Sequence, residues 1–143
     1  MNRLASLLVH VGLAACGSAH EVASTEPLTF TAQPLMTVKS GLGKLAIDVR
    51  TAPLQPPTRG LQGVQLVIRD SKTGASEPGL ALGVLPWMPA MGHGAPLTPR
   101  VEEGPPGTYV VSEVDFFMPG TWELRLSISG AVTDHAAPSF QIP

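Results

Sequence analysis

Cysteine is nearly absent from this chain, which has one, Cys16, among 143 residues. A single cysteine excludes an internal disulfide and any metal site built from several thiolates. Charged residues are also scarce, at 14%, and the formal net charge is −2. Such a chain lacks the basic surface that attracts nucleic acids and anionic membranes. We therefore expect no nucleic-acid partner.

Catalytic motifs are missing as well. The chain has neither a G-x-S-x-G nucleophile elbow nor an H-E-x-x-H zinc motif. An acidic pair, Glu102 and Glu103, lies among prolines and glycines without a histidine at a useful spacing. We predict that these carboxylates are solvated and that the protein is not an enzyme.

The first sixteen residues have the pattern of an export signal. Arg3 precedes an apolar run over residues 4–11, which is too short to span a bilayer. The end of this segment resembles a bacterial lipobox, whose cysteine is acylated and becomes the new N-terminus: Leu13, Ala14, Ala15 and Cys16. We predict a lipoprotein signal peptide over residues 1–16. The alternative is an ordinary cleaved signal with an incidental cysteine.

Composition divides the rest of the chain into two parts. Residues 17–34 are rich in Ser, Ala, Thr, Glu and Pro, and predict a flexible linker in which His20 is solvated. Residues 35–143 have the size of one domain. The expected arrangement is a domain held by its lipid on the cell envelope, facing the periplasm.

Alternating apolar residues predict strands at 44–51, 62–69, 108–118 and 121–128, and a last strand near 139–142. Residues 80–85 are apolar in both alternations and predict either a more buried strand or a strand that switches sheets, ending before Pro86. With fifteen glycines and fifteen prolines to form turns, this pattern predicts an all-β, immunoglobulin-like antiparallel β-sandwich of six to seven strands. The residues expected to face the core are Leu45, Ile47, Val49, Val64, Leu66, Ile68, Val110, Val114, Phe116, Met118, Trp122, Leu124, Leu126 and Ile128.

The stretch 86–94 contains four prolines and glycines that predict a shaped loop instead of a strand. Met88, Met91 and His93 in this loop offer thioether and imidazole donors, which suit Cu(I) better than magnesium or calcium. Met118 joins this set if the turn after Phe117 lies at the same end of the sandwich. We predict a copper site from these four residues, with the protein acting as a copper chaperone or buffer for a partner.

The same residues also have an alternative interpretation that involves no metal. Met88, Met91 and Trp87 would then cap the end of the core, since methionine fills irregular gaps. The same loop would serve as an apolar contact patch for an envelope protein, with Trp87 as a possible contact. His135 is either a distant ligand or a solvated turn residue.

Three motifs resemble the YtkA-like domain family and its FixH-like relatives. They are P-W-M-P-A-M-G-H-G at 86–94, G-T-Y-V-V at 107–111 and F-F-M-P-G-T-W-E-L at 116–124, within a resemblance that runs from about 41 to 128. The resemblance implies a small exported β-sandwich, often lipid- or membrane-anchored, found in settings of copper handling and cytochrome oxidase assembly. It implies a copper-handling or oxidase-assembly partner and a site at Met88, Met91, His93 and Met118.

Overall fold

Ten β-strands form between residues 27 and 143, the part of the chain that the computed structural model describes. The expected signal peptide, Cys16 and the first part of the expected linker lie outside these residues. In chain order the strands are β1 (Met36–Lys39), β2 (Leu45–Ala52), β3 (Gly60–Asp70), β4 (Ala81–Met88), β5 (His93–Gly94), β6 (Arg100–Glu103), β7 (Thr108–Phe116), β8 (Gly120–Ser129), β9 (Asp134–Ala136) and β10 (Ser139–Ile142).

The strands pair antiparallel into two sheets. Sheet A has the order β1-β2-β3-β7-β6, and sheet B has the order β10-β8-β4-β5, with β9 also paired to β8. This confirms the predicted antiparallel sandwich. The strand number exceeds the predicted six to seven because β1, β5, β6 and β9 are too short to show an alternating pattern. Residues 27–143 contain no helix long and apolar enough to cross a membrane.

The core consists of side chains that alternate along the longest strands, as predicted for β2, β3 and β8. From β2 and β3, six aliphatic residues are fully buried: Leu45, Ile47, Val49, Val64, Leu66 and Ile68. From β8, Trp122, Leu124, Leu126 and Ile128 are at most 3% exposed. Each such side chain contributes about 1.5–3 kcal/mol through removal of apolar surface from water.

Strand β7 departs from simple alternation, and the prediction that Val110 faces the core is wrong. Tyr109 and Val111 are buried instead, whereas Val114 and Phe116 face inward as predicted. The strand ends at Phe116, so Met118 lies in the following turn.

A β-bulge in β7 causes this change of face. Val64 of β3 pairs with Val111, but Gln62 pairs with Val114, so β7 has one residue more than its partner over this stretch. Glu113 has a φ of 60°, in the left-handed region. An extra residue in that conformation turns the following side chains to the opposite face.

The phenol of Tyr109 joins β7 to the segment before β4. Its Oη donates to the Glu77 carbonyl at 2.8 Å and accepts from the Leu80 amide at 2.9 Å. Burial raises the pKa of this phenol. Tyr109 is 1% exposed, and its hydrogen bond to the Leu80 amide is buried, whereas the bond to the Glu77 carbonyl is partly buried.

Replacing Tyr109 by Phe is expected to lower the free energy of unfolding by about 1–3 kcal/mol, because the buried Leu80 amide and the partly buried Glu77 carbonyl both lose their partner. Denaturant unfolding of the wild type and the variant measures the change. An unchanged midpoint would show that water replaces the phenol at no cost.

Residues 27–34 lie across the outer face of sheet A. The Arg50 guanidinium donates to the Ala32 carbonyl at 2.9 Å, and Gln55 Nε2 donates to the Gln33 carbonyl at 2.9 Å. Leu28 covers Gly63, where an added Cβ would lie 2.3 Å from a Leu28 methyl carbon. Contacts with the sandwich therefore begin before residue 35, which the sequence indicates as the start of the domain.

Candidate functional site at the hairpin end of the sandwich

Strand β4 continues through Pro86 to Met88, so the prediction that it ends at Leu85 is wrong. Within a strand, the nitrogen and the carbonyl of one residue point to the same side. The Pro86 carbonyl accepts from the Ala95 amide at 3.1 Å, on the side of β5. The proline nitrogen, which carries no hydrogen, therefore also points away from β8 and costs no bond to that strand.

The first part of β4 is more exposed than predicted. Leu85 is 45% exposed, and Leu82 and Val84 are half-buried. The prediction of a more buried strand over residues 80–85 is therefore wrong, although Leu80 itself is buried. Over residues 81–85, β4 has a paired strand only on the β8 side, since β5 reaches only Trp87 and Met88.

Most of the predicted loop at 86–94 is a β-hairpin. Met88 and His93 are directly opposite each other in the β4–β5 pairing. The amides of Met91 and Gly92 donate to the Met88 carbonyl at 3.1 and 3.0 Å. Gly92 has a φ of 67°, which glycine adopts without strain. Only residues 89–92 form the loop, which we call the hairpin tip.

Met88 lies in the core beneath the turn that follows β7. It is 4% exposed. A Cβ added at Gly120 would lie 2.6 Å from the Met88 Cε, so the methionine methyl fills the space that this glycine leaves open. Packing of this kind supports the gap-filling interpretation for Met88.

His93 brings the hairpin against the same turn. Its ring stacks on Phe117, with centroids 5.9 Å apart and an interplanar angle of 21°. The imidazole Nδ1 lies 3.2 Å from the Gly94 carbonyl oxygen. The hairpin and the turn after β7 therefore lie at the same end of the sandwich, as the predicted copper site requires.

The other two methionines differ in accessibility. Met118 is half-buried and packs against the core, and its carbonyl accepts a hydrogen bond from Trp122 Nε1 at 2.9 Å. Met91 is 55% exposed, on the hairpin tip. Among residues 27–143 there is no group of three or more His, Cys, Asp or Glu side chains that could hold a metal ion. The candidate donors in this region are thus the methionine sulfurs and the His93 ring.

Trp87 lies on the opposite face of β4 from Met88, because successive side chains of a strand alternate. The Arg125 guanidinium carbon is 4.7 Å from the centre of the Trp87 ring. Arg125 also pairs with Glu123 at 3.0 Å. The indole therefore belongs to the outer surface of sheet B, where it is half-buried and accessible to a partner.

Residues 46–127 match the family model described as YtkA-like. The chain belongs to the YtkA-like family. The match extends from β2 to β8 and includes both the hairpin and the turn after β7. The YtkA-like family is not a known enzyme family. No curated protein and no solved structure matches this chain.

A buried carboxylate that the sequence does not reveal lies at the other end of this YtkA-like domain. Asp134 accepts hydrogen bonds from Ser40 Oγ at 2.5 Å and from the amides of Leu42 at 2.9 Å, Lys44 at 3.3 Å and His135 at 2.8 Å. Burial raises the pKa of Asp134, but these hydrogen bonds outweigh it and lower the pKa to about 2. Asp134 thus ties β9 to the turn between β1 and β2.

His135 is not near the hairpin of the YtkA-like domain. It lies in β9, with a side chain that is 67% exposed. Its ring covers Gly41, where an added Cβ would lie 2.1 Å from Nε2. The interpretation of His135 as a distant ligand finds no support in this position, and its neighbours are those of the β1–β2 turn.

Proposed function

We propose that this YtkA-like domain binds Cu(I) at the hairpin end through Met91, His93, Met118 and Met88. The stacking of His93 on Phe117, the residue before Met118, is the observation that carries the proposal, because it brings the hairpin and the turn after β7 to the same end of the sandwich. The bound copper is cargo, which the protein holds as a chaperone or buffer for a copper-handling or oxidase-assembly protein of the envelope.

The donor chemistry supports Cu(I) as the cargo. Thioethers are soft, neutral ligands that need no deprotonation and do not oxidise to disulfides. Met91 is the most exposed of the four donors, so it makes the first contact with the ion. Met88 and Met118 pack against the core, and the three rotatable bonds of methionine would let their sulfurs turn towards an ion.

This arrangement favours transfer of copper by ligand exchange. A donor at the exposed hairpin tip allows a partner's ligands to enter before those of this protein leave. The rearrangement of the two packed methionines lowers the affinity, which suits a carrier better than a storage site.

The proposed location is the cell envelope, with Cys16 acylated and the domain facing the periplasm. The order of charged, apolar and lipobox residues at the N-terminus supports it. We also propose that the protein is not an enzyme, since the site offers soft donors and no general acid or base beside a nucleophile.

A Cu(I) competition titration tests the copper proposal. Wild type is expected to bind one equivalent, and Met91→Ala and His93→Ala are each expected to weaken binding by at least about tenfold. Met36→Ala is the matched control. Met36 lies in β1, an edge strand of sheet A that contributes no donor to the proposed site. Absence of binding at micromolar copper, or equal affinity in all four proteins, would overturn the proposal.

The second candidate function is a metal-free interaction module, favoured by the apolar surface at the same end. Four large apolar side chains there are exposed by 37% to 59%: Leu54, Leu61, Met91 and Phe117. Clusters of this kind mark contact sites for proteins. In this case, binding of an envelope partner should survive removal of copper and be lost in Trp87→Ala.

A further inference from the structure

Strand β4 has an open edge along most of its length. It pairs with β8 over residues 81–87, but with β5 only at Trp87 and Met88. Since the Pro86 carbonyl points to the β5 side, the peptide groups of Val84 and Leu82 point to that side too. In the described part of the chain, no strand pairs with them there.

This edge lacks the features that usually prevent strand pairing between molecules. Proteins protect exposed edges with charged side chains, prolines, bulges, very short strands, or a helix or loop that covers the edge. The two edge strands of sheet A are charged, since β6 carries Arg100, Glu102 and Glu103, and β1 carries Lys39. Residues 81–85 of β4 are Ala, Leu, Gly, Val and Leu, with no charge, no proline and no bulge, and Pro86 follows only where β5 begins to cover the strand.

We propose that the β4 edge binds the β4 edge of a second copy of this chain, forming a two-fold symmetric dimer. A symmetric contact brings identical side chains together, so a charged edge would repel itself. Because the β4 edge is uncharged, it can pair with the same edge of a second copy without this repulsion. This inference does not depend on copper binding.

The positions of the free peptide groups fix the register of the pair. With the two-fold axis at Gly83, Leu82 faces Val84 of the partner subunit and exchanges both backbone hydrogen bonds with it. Gly83 then meets Gly83 of the partner subunit in a non-hydrogen-bonded pair, where Cα atoms approach to about 4.5 Å. Glycine has no side chain to oppose this approach. Ala81 comes to face Leu85 of the partner subunit.

Charge variants at Ala81 and Leu85 test both the dimer and its register. Both side chains are exposed, whereas a Cβ at Gly83 would lie 2.3 Å from Ser127 Oγ. The variant Ala81→Lys with Leu85→Lys places like charges opposite each other. The matched variant Ala81→Glu with Leu85→Lys places opposite charges there and carries the same number of substitutions.

Sedimentation equilibrium of the full chain, carrying Cys16→Ser to remove the cysteine and any lipid, measures the association. A contact of this size is small, so the wild-type mass should rise towards that of a dimer at about 0.1–1 mM. The double-lysine variant should remain monomeric, and the glutamate–lysine variant should dimerise at least as well as wild type. A monomeric wild type at all concentrations, or equal dimerisation of the double-lysine variant, would overturn the proposal.

A disulfide trap gives an independent readout. In the same background, Ala81→Cys combined with Leu85→Cys should form a covalent dimer on mild oxidation, because the two positions face each other across the axis. Within one strand they are about 13 Å apart, which is too far for an internal bridge. Each single variant should stay monomeric, and dimers of the single variants in equal yield would contradict the register.

Discussion

Replacing Asp134 by Asn is expected to lower the free energy of unfolding at neutral pH by about 2–3 kcal/mol. The amide nitrogen of Asn is a donor and cannot accept from Ser40 Oγ or from the Lys44 amide. The Asp134 side chain has no exposed surface, so water does not replace these bonds easily. The turn between β1 and β2 and the start of β9 should therefore loosen together.

The difference in the free energy of unfolding between the wild type and Asp134→Asn should depend on pH. The lowered pKa of Asp134 determines the direction of this dependence. The pKa of Asp134 is about 2 in the folded protein, against 3.8 for an unperturbed aspartate. The stabilisation is fully present above the unfolded pKa and is lost as pH falls through the folded pKa. Denaturant unfolding from pH 7 to pH 2 should show the wild type and Asp134→Asn converging below about pH 4.

Glu102→Gln is the matched control for this series, because Glu102 is an exposed carboxylate in β6. Its effect on the free energy of unfolding should stay within about 0.5 kcal/mol. A constant difference between Asp134→Asn and the wild type down to pH 2 would show that the carboxylate charge does not provide the stabilisation.

Replacing Met88 by Ala is expected to lower the free energy of unfolding by about 2–5 kcal/mol, because it leaves a cavity under the turn at Gly120. Met91→Ala, on the exposed hairpin tip, should change it by no more than about 0.5 kcal/mol. Thermal or denaturant unfolding of the two variants separates the packed methionine from the exposed one. Equal effects would contradict the different burial of the two side chains.

Met88→Leu then separates packing from copper binding. Leucine has nearly the volume of methionine, so the cost should stay below about 1.5 kcal/mol, but the thioether is removed. If Met88 is a copper ligand, this variant binds Cu(I) more weakly while remaining folded. Unchanged affinity would leave Met88 as a core residue only.

Much of the fold can be predicted from the sequence because β2, β3 and β8 keep a strict alternation of apolar residues. Hydrophobic periodicity predicts the wrong face for Val110 in β7, because the bulge depends on the backbone of Glu113, which periodicity does not show. The sequence also predicts the end of β4 three residues too early, at Leu85 instead of Met88. A proline is compatible with a strand when its nitrogen points away from the strand with which it pairs, and the sequence does not reveal which side that is.

The candidate site could be predicted in composition but not in arrangement. The soft donors of 86–94 are visible in the sequence, whereas the burial of Met88 depends on Gly120 in another strand. Asp134 gave no signal, because its partner Ser40 is 94 positions away and its other donors are backbone amides. Long-range contacts of this kind require the paired sheets to be known.

The most direct test of the copper site is an NMR titration of the methionine ε-methyl groups with Cu(I). Met88, Met91 and Met118 lie at the hairpin end, and Met36 in β1 provides a reference within the same molecule. At one equivalent of Cu(I), the methyl signals of Met91 and Met118 should shift most, that of Met88 should follow as its side chain rearranges, and that of Met36 should stay in place. Signals that do not move, or that move equally at all four methionines, would contradict a copper site at this end of the sandwich.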